Sequence, residues 1–159
     1  MESMNGSANI AAWVQALGAM LALFVAIWAP MWFAARARRR RLETVFVVCE
    51  YVAELVEEVN EAFQKGEAHY NGYVEFSYNP GVWKQALADL NSVPIYEIEG
   101  PKVVGHLLGL RAMFGNAVGF YETVPSANDP NMDYVEYAEA WKRYADGARA
   151  AVTGIRAAM

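Results

Sequence analysis

The chain has 159 residues, 55% of them hydrophobic, and its 13 Lys and Arg against 18 Asp and Glu give a net charge of −5. Such an acidic balance argues against nucleic-acid binding, which requires a basic face. The single cysteine, Cys49, excludes an intramolecular disulfide and a zinc site built from cysteines. Because Cys49 falls on an apolar stripe, it is predicted to be a buried and unreactive thiol.

Residues 10–35 contain no charged side chain, and Gln15 is the only strongly polar one among them. A helix of this length extends about 39 Å, which is enough to cross a hydrocarbon core of about 30 Å. Trp13 lies near one end, and Trp28 and Trp32 lie near the other, at the expected depth of the two headgroup regions. The segment is therefore predicted to be a transmembrane helix.

A basic collar at residues 36–41 follows the span, and it consists of Arg36, Arg38, Arg39, Arg40 and Arg41 around one alanine. Residues 1–9 contain no Lys or Arg, so the positive-inside rule places them outside the cytoplasm and residues 42–159 inside it. The collar is interpreted as a topology signal, with specific lipid recognition as the alternative. A cleaved signal peptide fits poorly, because no basic segment precedes the long apolar run and arginines follow it.

Two features modify the predicted span. Pro30 lies in its last turns and predicts a kink or a break there. Small residues recur at four-residue spacing, first at Ala8, Ala12 and Ala16 and then at Gly18, Ala22 and Ala26. These rows indicate either close pairing of two membrane helices or plain lipid-facing surface.

The opening segment Asn9–Ala16, with the span and the collar after it, resembles the start of many short bacterial single-span membrane-anchored proteins. The resemblance covers about a quarter of the chain. It implies a bacterial or phage origin and a location in the inner membrane. It carries no functional residue over to this sequence.

From Leu42 onward the chain has eight Lys and Arg against 17 Asp and Glu, a net charge of −9. A long helix is predicted over residues 42–65, since apolar residues alternate at spacings of three and four. This seam consists of Leu42, Val45, Cys49, Val52, Val56, Val59 and Phe63. It serves either the core of a bundle or a contact with a second copy. Glutamates on the other faces indicate a solvated surface, with divalent cation binding as the less favoured alternative.

Residues 67–80 mix aromatic and turn-forming residues without helical period. An aromatic loop is predicted here, with a short extended piece where Val74 and its alternate neighbours are apolar. Its aromatic side chains are Tyr70, Tyr73, Phe76 and Tyr78. They either cap the open end of a helical bundle or form an interaction loop for a partner or ligand.

Three further elements are predicted. A short helix covers residues 81–91, and an extended connector covers 92–100. Pro101 begins a helix with a seam through Tyr121, whose four glycines indicate close approach of a neighbouring element. A second span in this helix is disfavoured, because His106 and Arg111 interrupt it.

The last helix is predicted to begin near residues 129–131, after a turn-rich break, and to continue to the end. Its seam is aromatic in the first half, at Tyr134, Tyr137, Trp141 and Tyr144, and mostly small in the second half, at Ala148, Ala151, Ile155 and Ala158. Large residues are expected to fill one end of the bundle, while alanines allow tight packing at the other. The predicted fold is all-α: one N-terminal transmembrane helix followed by a three- or four-helix cytoplasmic bundle.

No catalytic residue, cofactor site or metal site is predicted. The sequence contains no nucleotide-binding, serine-hydrolase or metalloprotease motif, and neither His69 nor His106 has helical metal-ligand spacing to an acidic residue. The favoured hypothesis is a non-enzymatic, membrane-anchored scaffold that contacts lipid and docks a protein partner or a second copy. The alternatives are a membrane-acting effector of phage or defence type and a ligand-sensing bundle.

Overall fold

The computed structural model is all-α and describes residues 3–77, 79–98, 100–123 and 133–159, with side chains except those of 3–11, 75 and 76. Five α-helices form this part of the chain: α1 (Ser3–Gln64), α2 (Glu67–Phe76), α3 (Pro80–Ser92), α4 (Pro101–Glu122) and α5 (Tyr134–Ala158). The chain divides into two compact units, Met1–Arg41 and Leu42–Met159, and each is described by itself.

The first unit contains the apolar part of α1. Of residues 12–41, all except Ala29 are exposed. Pro30 lies inside α1, which continues through it, so the chain does not break there. The alternative, a kink at Pro30, stays a prediction, since proline removes one backbone donor and commonly kinks a helix. By length and composition α1 from Ala12 is apolar enough to cross a membrane, and α4 also meets this criterion.

The second unit is a helical bundle built on three buried seams. The α1 seam is buried from Val45 to Phe63, Leu42 is half-buried at its edge, and the seam therefore belongs to the chain's own core. The predicted seam of α4 is also buried, at Val103, Leu107, Leu110, Phe114, Ala117 and Tyr121. On α5, Trp141, Ala148 and Ile155 complete the core.

Ion pairs fix the direction of α5 against α1. Arg149 contacts Glu57 at 2.7 Å and Arg156 contacts Glu50 at 2.6 Å, so the two helices run antiparallel. These pairs are solvent-exposed, and each contributes at most about 1 kcal/mol. They therefore show the orientation of α5 and add little to its stability.

Three sequence expectations about local structure are wrong. Residues 67–76 form the helix α2 and not a loop, because Tyr70 packs on Phe63 with ring centroids 4.2 Å apart. Residues 95–97 form a 3-10 turn within the connector predicted to be extended. Helix α5 begins at Tyr134, where the Asp133 carboxylate accepts hydrogen bonds from two backbone N–H groups. The predicted start at 129–131 lies outside the described residues.

The third correction concerns the α4 glycines. Within the part of the chain that the structure describes, nothing lies within 4 Å of a Cβ built at Gly105, Gly109, Gly115 or Gly119, so no described neighbour requires them. The close approach is made by α5 instead. A Cβ at Gly147 would lie 2.7 Å from the Met113 sulfur, and one at Gly154 would overlap the His106 imidazole.

Arg111 ties α4 to α3. Its guanidinium donates hydrogen bonds to the backbone carbonyls of Leu90, Asn91 and Val93 at 3.0, 3.3 and 2.5 Å. The last carbonyls of a helix lack intrahelical donors and carry partial negative charge. Arg111 therefore satisfies the carboxyl end of α3, a role that its position in an apolar helix did not reveal.

Candidate functional site

The predicted membrane-interface residues lie on the exposed surface of the first unit. The exposed fractions of Trp13, Trp28 and Trp32 are 67%, 58% and 46%. Phe24 stacks on Trp28, and the guanidinium of Arg36 lies 5.3 Å from the centre of the Trp32 ring. The other four arginines of the collar are exposed on the same helix. An indole beside a guanidinium suits the boundary between hydrocarbon and headgroups.

The predicted interaction loop is only partly on the surface. Tyr70 is buried against Phe63, so its ring is not part of an exposed contact surface. Tyr73 is half-buried, and its hydroxyl lies 2.9 Å from the Tyr121 hydroxyl. The side chain of Phe76 and all of Tyr78 lie outside the described residues. The tyrosines that the structure describes thus close one end of the bundle.

Aromatic side chains at this end of the bundle, here called the aromatic end, contact one another in a continuous series. Trp83 lies against Tyr121 with ring centroids 4.2 Å apart, and Trp141 meets Trp83 edge-on at 5.6 Å. Burial raises the pKa of Tyr73 well above its usual range, and the hydrogen bond with Tyr121 acts in the same direction. The Tyr73 hydroxyl therefore stays protonated and neutral across physiological pH. The arrangement stabilises the domain and offers no general base.

Cys49 is fully buried, as its position on the seam predicted. Burial raises the pKa of its thiol to about 11, and Arg111 only partly opposes this effect. A thiol reacts as its thiolate, so Cys49 is inert near neutral pH. It fills space in the core and is not a candidate nucleophile.

Clefts lined by described residues open at three places on the surface of the second unit. A cleft of about 330 Å³ lies between α1 and α5, beside the two Arg–Glu pairs. One of about 260 Å³ lies between the end of α1 and α2, and Glu58, Glu61 and His69 line part of it. The third, of about 500 Å³, lies between the start of α4 and the end of α5 and includes His106. His69 and His106 thus line different clefts.

The acidic side chains of the second unit pair with cations more than with one another. In the part of the chain that the structure describes, no group of three or more His, Cys, Asp or Glu side chains is placed to hold a metal ion. Several glutamates of α1 contact cationic side chains instead. Glu50 and Glu57 pair with α5, and Glu61 pairs with Lys65 at 2.8 Å.

No protein-family model, no curated protein and no solved structure matches this chain. The class of protein that the fold defines is therefore an all-α domain preceded by a long apolar helix.

Proposed function

We propose that this protein is a non-enzymatic, membrane-anchored interaction module, with residues 10–35 as a single transmembrane helix. One observation carries the proposal: the large apolar side chains of the first unit are exposed. Leu17, Leu21, Phe24 and Ile27 have exposed fractions between 54% and 64%. Such a surface is unstable in water, and lipid covers it without further protein.

The charge distribution supports an orientation with residues 1–9 outside and the helical domain in the cytoplasm, at a bacterial inner membrane. Arginines are concentrated on one side of the apolar run, at Arg36–Arg41, while the other side carries Glu2 and no cation. The positive-inside rule assigns the arginine side to the cytoplasm. The anionic leaflet attracts the collar and repels the acidic domain beyond it.

The proposed role of the domain is to contact a protein partner or a second copy. Support comes from its outer surface, where Val47 and Tyr51, one turn apart on α1, are 62% and 45% exposed. Chemically, the aromatic end and the buried thiol supply stability and no reactive group. Such a surface provides apolar and charged contacts but no reactive group, and this fits binding better than catalysis.

Membrane attachment is tested by extracting membranes from expressing cells with alkaline carbonate. A spanning helix keeps the chain in the pellet until detergent is added. Recovery in the carbonate supernatant would contradict the anchor. A cysteine introduced at Ser7 should react with an impermeant maleimide on intact cells, while one introduced at Ala157 should not.

The scaffold role is tested separately by crosslinking in solubilised membranes followed by mass measurement. We expect a homo-oligomer or a co-purifying protein, and a strict monomer without a partner would contradict this role. A membrane-potential dye distinguishes the effector hypothesis. A scaffold leaves the potential intact on induction, whereas a membrane-acting effector collapses it.

A further inference from the structure

Helix α1 has a second row of residues at helical spacing, on the side away from the seam that is buried in the core. Val47, Tyr51, Glu54 and Glu58 follow one another at spacings of four, three and four, and all four are exposed. We name these four residues the outer seam. At about 100° per residue, the outer seam lies roughly 150° around the helix from the buried seam. It is therefore a face of the second unit that the bundle does not cover.

The outer seam is apolar in its first half and acidic in its second half. Glu50 and Glu57, which flank it on the side of α5, are paired with arginines of that helix. Among the residues that the structure describes, Glu54 and Glu58 form no ion pair. The acidic half of the outer seam thus presents two carboxylates, one turn apart, that no described cation neutralises.

Charge makes a second copy of the chain a poor occupant of the outer seam. Two parallel helices in register place Glu54 and Glu58 opposite their own equivalents, and like charges in contact are destabilising. An antiparallel pair places Glu54 opposite Tyr51 and Glu58 opposite Val47, so that carboxylates lose water to apolar side chains. Neither arrangement supplies a cation, because the outer seam contains none.

We propose that the outer seam binds a basic amphipathic helix of a partner protein, with Lys or Arg facing Glu54 and Glu58. Apolar side chains of that helix face Val47 and Tyr51. Spacings of three and four suit a helix, because helices pair through residues that recur in this way. Opposite charges beside the apolar contact fix partner choice and orientation. This inference rests on the proposed interaction role, and at this face it favours a different protein over a second copy.

The test uses the full chain in phosphatidylcholine nanodiscs and a designed fluorescent peptide of about three heptads, with leucines on its seam and lysines beside them. Fluorescence anisotropy measures its dissociation constant, and empty nanodiscs give the background. The same peptide with glutamates in place of the lysines is the charge control. We expect saturable binding of the basic peptide and at least about tenfold weaker binding of the acidic one. No saturable binding, or equal binding of both peptides, would overturn the proposal.

A matched pair of double variants separates the outer seam from net charge. Glu54→Gln with Glu58→Gln should weaken binding of the basic peptide about four- to twenty-five-fold, at about two- to fivefold for each exposed ion pair. Glu136→Gln with Glu139→Gln removes the same charge from exposed positions of α5 and should change binding by less than about twofold. Equal losses in both double variants would show a response to net charge alone and exclude the outer seam as the site.

The apolar half has its own pair of variants. Tyr51→Ser should weaken binding at least about fivefold, as truncation of an aromatic contact does, whereas Tyr96→Ser, at a tyrosine that is 87% exposed, should not. With Tyr51→Cys, oxidation of native membranes should give no disulfide-linked dimer. Such a dimer would place a second copy on the outer seam and overturn the proposal. If the peptide failed to bind while crosslinking still gave a partner, the outer seam would be excluded and the interaction role would stand.

Discussion

Two helices of this chain meet the same criterion of length and apolarity, and the structure treats them differently. The most apolar window of α1 has a mean hydropathy of 1.9 and none of it is buried, whereas that of α4 has 1.2 and is 33% buried. In α1 the apolar residues cover every face of the segment before the collar. In α4 the buried residues lie on one seam in contact with α3 and α5, while Leu108 on the same helix is 48% exposed. The difference teaches that length and apolarity alone do not separate a helix exposed on every face from a helix that packs in a core.

The largest effect is expected from charged substitutions in the apolar run of α1, which test the comparison of the two helices most directly. Replacing Leu21 and Phe24 with Arg places two cations near the middle of the apolar run, at about 2.5–3.5 kcal/mol each if that run spans a bilayer. We expect the double variant to leave the carbonate-resistant membrane fraction. Immunoblots of membrane and soluble fractions measure this.

The matched control places the same charges on the exposed side of α4, at Leu108 and Ala112. This variant should stay in the membrane fraction. If both double variants behaved alike, the distinction between the two helices would be lost.

The burial of the α4 seam predicts the next largest effect. Phe114 is fully buried and stacks on Trp83 at 5.3 Å, so Phe114→Ala should lower the free energy of unfolding by about 3–5 kcal/mol. Leu108→Ala, on the same helix but 48% exposed, should change it by about 0.5 kcal/mol or less. Urea titrations of the detergent-solubilised chain, followed by near-ultraviolet circular dichroism, measure both. Similar losses for both variants would show that α4 is not a core helix.

Cys49, on the seam of α1, makes the free energy of unfolding of the domain depend on pH. The folded pKa of Cys49 is about 11 against 9.0 for the ordinary thiol, so the folded state holds this proton more tightly. The stability from Cys49 is therefore complete below pH 9 and is lost as the pH rises toward 11, by up to about 2–3 kcal/mol. Cys49→Ala should flatten the fall in unfolding free energy between pH 9 and 11. A slope identical to that of the natural chain would contradict this assignment.

The smallest expected effect concerns glycines on the two faces of the α4–α5 pair. Gly109→Ala meets no neighbour and should raise the melting temperature, since it removes a helix penalty of up to about 1 kcal/mol. Gly147→Ala gains the same propensity but displaces the Met113 side chain, so its benefit should be smaller. Thermal melts in one detergent compare the two variants. A larger gain at Gly147 would show that the two helices pack less closely than described.

Helical periodicity predicted most of the fold. The seams of α1 and α4 are buried almost throughout, and that of α5 is buried or half-buried except at Ala158, which is exposed. Helix α3 begins at Pro80, one residue before the predicted start, and Asn79 caps it. Helix α2 was missed because its sequence has no apolar period of its own. The contact of Tyr70 on α2 with Phe63 on α1 stabilises this helix. The residue pattern of one segment does not show which other segment it will contact.

The sites were less predictable. The tryptophans and arginines of α1 were predicted as membrane-interface residues from their order along the chain, and this stays a prediction. The cleft between α4 and α5 brings Lys102 close to Ala157, residues far apart in sequence, and neither carries a motif. Sequence spacing therefore offered no signal for this cleft.

The stacked rings around Trp83 and Trp141 also give the molecule an intrinsic optical reporter. Both indoles are fixed among aromatic neighbours in the second unit, while Trp13, Trp28 and Trp32 lie along the apolar helix. Quenchers dissolved in water and quenchers attached to lipid should therefore separate two emitting populations. Emission spectra alone would then follow assembly of the bundle and the proposed insertion of α1 into lipid in one sample, without any attached dye.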